Sequence, residues 1–180
     1  MSSESNIVVF DLETRRAFDE VGGRGNIRLL GLSVAVTYST ATDQYRHYTE
    51  ANVADLVAEL QKADLIVGFN LLHFDYEVLK GYTDAPLAQR PTVDMLDHLY
   101  RRLGFRVGLD NVAEATLGQR KTADGMQAIR WWREGKIREI AEYCQQDVEV
   151  TRRLYEFGRR NKYVQYRDRN HRVQRVPVNW

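Results

Sequence analysis

Residues 8–14 read VVFDLET, and with Ile7 before them they form an apolar run that stops at two carboxylates one residue apart. The run does not alternate with polar residues, which predicts a central strand covered on both faces. Side chains two positions apart share one face of a strand, so Asp11 and Glu13 project to the same side, about 6–7 Å apart along the chain. At an effective dielectric near 20, two like charges brought to about 4 Å repel by about 4 kcal/mol. Such a pair calls for a counter-charge: a lysine or arginine from elsewhere, a divalent cation, or water at a frayed strand end.

Working outward, TRRAFDEVGGRGNIR (14–28) is rich in glycine and charge and is expected to be a mobile loop. LLGLSVAVTYS and QYRHYTE are two further strands joined by a polar turn at 40–43, an antiparallel hairpin. ANVADLVAELQKA places Val53, Leu56, Val57 and Leu60 at helical spacing, and DLIVGFN follows as a second buried strand. Past Asn70 the pattern turns helical to Leu79. Pro91 precedes a helical VDMLDHLYRRLGF, and LDNVAEATLG is a short helix closed by Gly118. Residues 122–157 are helical with a break near Gly135, and Ile137, Ile140, Ala141, Cys144, Val148 and Leu154 make an apolar stripe on the last helix. KYVQYRDRNHRVQRVPVNW alternates about a polar turn, a small basic hairpin. Strands, a crossover helix, a strand and then helices describe an α/β fold, a mixed sheet with helices on both faces, in a single domain spanning residues 1–180.

Composition agrees with a globular chain: 180 residues, 43% hydrophobic, 28% charged, three prolines. Cys144 is the lone cysteine, which excludes an internal disulfide and a cysteine zinc cage and favours a reducing, cytoplasmic setting. No secretory leader and no apolar run of membrane-spanning length is present, so no membrane partner is expected. The net charge of +1 conceals an asymmetry: residues 158–180 hold 7 Lys+Arg against 1 acid, and residues 1–157 hold 19 against 24. A basic tail on an acidic body suits a polyanionic partner, and equally a solvated surface.

The D-x-E triplet occurs three times: Asp11–Glu13, Asp75–Glu77 and Asp147–Glu149. In a helix, residues two apart diverge by about 200°, so only Asp11 and Glu13 converge. Asp75 falls in the first turns after a buried strand, where a helix N-terminus favours an anion. Asp147 lies four residues after Tyr143, so phenol and carboxylate stack on one helix face. Taken singly, each has an ordinary structural explanation.

Together, FDLET (Asp11, Glu13), NLLHFD (Asn70, Phe74, Asp75) and YCQQD (Tyr143, Asp147) resemble the three motifs of the DEDDy group of DnaQ-like 3′–5′ exonucleases. That group has the RNase H-like fold, and the motifs are similar to those of the proofreading domain of family B DNA polymerases. They occur in the family's order, on a strand, a helix start and a helix, and the likeness spans about residues 7–155. It implies catalysis by Asp11, Glu13, Asp75, Tyr143 and Asp147. The four acids would hold two Mg²⁺ or Mn²⁺ ions, Asp11 bridging, Glu13 and Asp147 completing one ion and Asp75 holding the other. An all-oxygen donor set independently favours these hard cations over zinc. Tyr143 would orient the attacking water. Leu12, Thr14, Asn70 and Phe74 would contact the terminal nucleotide, although strand-end hydrogen bonding, capping or core packing also explains each of them.

The substrate so implied is single-stranded nucleic acid, DNA ahead of RNA, hydrolysed to nucleoside monophosphates by the chain alone or within a larger complex or partner protein. An RNase H-like endonuclease or resolvase, and a catalytically silent nucleic-acid-binding module, are the alternatives. Two weaker features are the arginines of the Arg15–Arg28 loop, which could clamp a phosphate, and Trp131–Trp132, which could stack bases or pack inside. Lys80, Arg120 and Lys121 read as surface residues. His73, beside Phe74, reads as a polar neighbour.

Overall fold

The computed structural model describes residues 5–119 and 124–180. Arg120, Lys121 and the first residues of the helix expected from 122 lie outside that range. A five-stranded sheet has the order β3-β2-β1-β4-β5, with β1 Ile7–Thr14, β2 Leu32–Ser39, β3 Gln44–Tyr48, β4 Leu65–Gly68 and β5 Thr92–Asp94. β1 pairs antiparallel with β2 and parallel with β4, and β4 pairs parallel with β5. The mixed sheet is therefore centred on the strand that carries Asp11 and Glu13.

Alternation along β1 sorts its side chains between two cores. Val8, Phe10 and Leu12 pack with Leu56 and Leu60 of α1 (Val53–Lys62) and with Val78 and Leu79 of α2 (Tyr76–Leu79). Val9 packs on the other side, with Val34 and Val36 of β2 and with Ile140, Cys144 and Val148 of α6 (Ile137–Asn161). Asp11 stands opposite Val36 and Glu13 opposite Val34 across the ladder, so both acids point to the α6 side. This second core also takes residues from α3 (Met95–Leu103), α4 (Leu109–Leu117) and α5 (Gly125–Arg133). Among the described residues, no helix is long and apolar enough to cross a membrane.

Two local expectations are corrected, and the helix expected after Asn70 gains a detail. Residues 15–28 are built rather than loose: two 3-10 turns, Phe18–Val21 and Arg24–Leu29, are held while Arg15 and Arg16 extend the ladder by bonding the carbonyls of Gly31 and Leu30. The stretch after Pro91 opens with the three-residue strand β5 before its helix starts at Met95; so short an edge strand leaves no periodic signal. The turn after Asn70 is π-wound from Leu71 to Asp75, closing Tyr76 N–H onto the Leu71 carbonyl.

The C-terminal hairpin, β6 Tyr163–Arg167 and β7 Val173–Pro177, is part of the core rather than an appendage. Val164, Val176 and Val178 are buried in the α6-side core, and the Trp180 indole N–H donates to the Tyr155 carbonyl at 3.1 Å. The indole lies where a Cβ on Gly158 would be, 2.5 Å from its nitrogen.

Candidate active site

The carboxyl ends of the parallel strands β1 and β4 form the floor of the site, as is usual for ligand sites in open α/β sheets. A register shift between Glu13 and Thr14 marks where β1 leaves regular pairing, a device often found beside functional sites. On α6, Tyr143, Cys144, Asp147 and Val148 share one face by helical spacing, and Tyr143, Cys144 and Val148 of that set are buried. The helix thus lays Asp147 over the end of β1.

Asp11, Glu13 and Asp147 each offer a carboxylate oxygen, all within 4.8 Å of one another. Asp75 arrives from below: its carboxylate is 2% exposed and accepts the Leu12 N–H at 3.2 Å. Burial first, and then the nearby Asp11 carboxylate, raise its pKa well above the ordinary aspartate range. Three carboxylates so close, with a fourth beside Asp11, are an all-oxygen donor set that fits a divalent cation of the hard, oxygen-preferring class.

Tyr143 is buried and bonded to Asp147; burial and the surrounding carboxylates of Asp147, Glu13 and Asp11 push its pKa up. It therefore keeps its proton and can donate but cannot serve as a base. Its ring meets Trp131 edge-on, with centroids 6.2 Å apart, which fixes the phenol direction. Cys144, read in the sequence only as an apolar stripe residue, touches the site: its thiol lies 3.4 Å from the Asp11 carbonyl and 3.6 Å from Asp11 Oδ2. Burial raises its pKa too, so it is a thiol donor beneath Asp11.

A cleft of about 450 Å³ opens over these groups, inside the ~300–1,000 Å³ range of small-molecule sites. Leu12, Thr14 and Phe74 line it. The Leu12 side chain packs on the far face of β1, and the Thr14 hydroxyl donates to the Arg16 carbonyl at 3.0 Å. Phe74 is half-buried and meets Phe18 edge-on at 6.2 Å. Asn70 is not brought to the cleft. It adopts a left-handed backbone with φ 72°, and its amide oxygen accepts from Arg106 at 3.0 Å.

Several cleft residues escaped the sequence. Met126 and Ile129 of α5 form a wall, and Gly125 brings that helix so close that a Cβ on it would stand 3.9 Å from Glu13 Oε2. Asp94, 5% exposed, accepts the N–H groups of Asn70, Leu72, Leu96 and Asp97 at 2.8–3.3 Å. It both caps α3 and pins the turn that carries Asp75. An acid directly before a helical pattern in TVDMLD was the signal available for it.

The weaker candidates find other partners. Arg15 pairs with Glu50 and stacks on Trp132 at 4.5 Å. Arg16 donates to the Leu29 carbonyl at 2.6 Å, and Arg24 lies 4.7 Å over Phe18. Both tryptophans pack against the α6-side core. Lys80 pairs with Glu77, and His73 stands 4.0 Å from Asp97.

A family model of the RNase H superfamily, RNase_H_2, matches residues 8–157. Among the solved structures that match, one is a family B DNA polymerase from the hyperthermophilic archaeon Pyrobaculum calidifontis. The two align with a TM-score of 0.65 and 16% identity, over 87% of this chain and 25% of that one. At that identity the likeness concerns the fold, and the chain spans about a quarter of the polymerase's length. No curated protein matches the chain in sequence.

Proposed function

The chain belongs to the RNase_H_2 family of the RNase H superfamily, and from that premise we propose that it is a DEDDy-type, two-metal-ion 3′–5′ exonuclease acting on single-stranded nucleic acid, DNA ahead of RNA. The observation that carries this reading is the meeting of Asp11, Glu13 and Asp147 within 4.8 Å, with Asp75 buried beside Asp11 and the Tyr143 phenol on Asp147. The likeness of its motifs to polymerase proofreading domains supplies the direction and the preference for DNA.

Mg²⁺ or Mn²⁺ held by the four acids would supply charge for both the attacking and the leaving oxygen of an in-line displacement at phosphorus. The residues of the chain do the rest. Asp11, Glu13 and Asp147 would hold the cations against which the scissile phosphate lies, and Asp75, joined to the Leu12 N–H, locks the floor of the site. Tyr143, its O–H donated to Asp147, would orient the attacking water by accepting a hydrogen bond from it rather than by removing its proton. Phe74 and Met126 line the cleft where the terminal nucleoside would sit, and the Thr14 hydroxyl, bonded to Arg16, shapes its edge.

The test is stepwise shortening of a 5′-labelled oligonucleotide in Mg²⁺ or Mn²⁺. Asp11→Ala is expected to lose at least about a thousandfold in rate, roughly 4 kcal/mol of transition-state stabilisation. Undiminished shortening by that variant would overturn the assignment, and internal cutting of a circular single strand would replace it with an endonuclease.

A further inference from the structure

The acidic cleft leaves the cations of the C-terminal hairpin unexplained. The hairpin lies past residue 157, where the family match ends, yet it is rigidly placed. Asn111 of α4 exchanges hydrogen bonds with the backbone of Arg167 at 2.7 and 3.0 Å, and Thr116 does so with Gln165 at 2.8 and 3.0 Å. Its turn is set by Asp168, which accepts from Asn170 N–H, Arg172 N–H and Gln174 Nε2 at 2.8–3.0 Å.

Between this turn and the α3–α4 connection runs a groove of about 730 Å³, lined by Phe105, Arg106, Tyr166, Arg167 and Arg169. All three arginines are exposed. Among the described residues, none of them forms an ion pair. Asp168, the acid in the groove, is engaged by its own turn. Phe105 is 44% exposed although large and apolar, and Tyr166 braces it edge-on at 5.8 Å. A braced aromatic face among unpaired guanidinium groups is the combination that binds single strands, bases on the ring and phosphates on the cations. A duplex keeps its bases stacked inside and would leave the ring unused.

The groove also adjoins the cleft. Arg106 donates to Asn70, and Phe69, the residue before Asn70, lines the acidic site. We propose that the groove holds the body of a single-stranded nucleic acid whose 3′ end lies in the cleft. That the end in the cleft is the reacting one rests on the exonuclease reading; the groove's affinity for a single strand does not.

The experiment uses the full chain in EDTA, so that no strand is cut, and fluorescence anisotropy with a labelled oligothymidylate of about 16 nucleotides. Phe105→Ala/Arg169→Ala should bind at least about tenfold more weakly, with a salt slope shallower by about 0.7 for the lost phosphate contact. Phe105→Tyr/Arg169→Lys should keep the wild-type affinity. Both positions are exposed, and an unaltered thermal midpoint checks that the variants fold. Unchanged affinity in the alanine variant overturns the proposal, as does an equal loss toward polyglutamate, which would assign the groove to acidic polymers at large. Wild-type turnover of the p-nitrophenyl ester of thymidine 5′-monophosphate in Mn²⁺ reports on the cleft separately. No turnover there, together with lost strand binding in the alanine variant, would sink the exonuclease reading and leave the groove standing.

Discussion

Asp75 and Asp94 are both aspartates buried to a few per cent exposure at the carboxyl side of parallel strands, and they are opposites in their surroundings. Asp94 collects four backbone N–H groups from two segments, so its buried charge is matched by the fold itself. Asp75 receives one N–H from another element, that of Leu12, and faces Asp11; burial first, and then that neighbouring charge, drive its pKa upward. A buried carboxylate surrounded by donors stabilises the fold. One surrounded by other carboxylates costs stability until something cationic arrives, and such strain concentrates at functional sites. Burial alone would have ranked the two acids alike; the identity of their partners separates them.

Removing each charge should sharpen that contrast. Asp75→Asn keeps the oxygen that accepts from Leu12 but deletes the charge, and oligonucleotide shortening is expected to fall at least about a thousandfold, roughly 4 kcal/mol, with the fold intact by circular dichroism. Wild-type rates in this variant would make Asp75 structural. Asp94→Ala strands several buried N–H groups and removes the α3 cap, at a cost of about 2–5 kcal/mol of unfolding free energy, measured by urea denaturation. A loss below about 0.5 kcal/mol would break the comparison from the other side, since it would put Asp94 among ordinary surface positions.

The smallest effect is in the pH dependence of metal-free stability. The pKa of Asp75 in the folded state is raised above the ~3.9 of a free side chain, so between those values the folded chain holds a proton that the unfolded chain has released. Stability contributed by this group is present at low pH and lost as pH rises through the folded-state value. In EDTA, Asp75→Asn should therefore unfold at a higher temperature than wild type at neutral pH, and the difference should shrink toward about pH 4. A difference independent of pH would remove the electrostatic account of Asp75.

Much of the site was legible in the sequence because its parts are local. Two residues apart on a strand and four apart on a helix are geometric facts, and they placed Asp11 with Glu13 and Tyr143 with Asp147. Alternation also disclosed the hairpin at 163–177, and Gly118, with φ 71°, closed its helix as expected. What was not legible depends on partners distant in the chain. Asn70 turns to Arg106, 36 residues on, while Cys144 meets Asp11 across 133 residues. The segment 15–28 is ordered by Glu50 and Trp132, which nothing inside it announces. The basic tail was visible as charge, but its buried valines hold it in the core, so cutting it off would test folding rather than binding.

The central claim is that four acids gathered from β1, the turn after β4 and α6 form one divalent-cation site. Calorimetric titration of the metal-free chain with Mn²⁺ tests it most directly. Uptake should saturate at two ions per chain, and Asp11→Ala should lose at least one of the two. No uptake by the wild-type chain, or the same isotherm from Asp11→Ala, would contradict it.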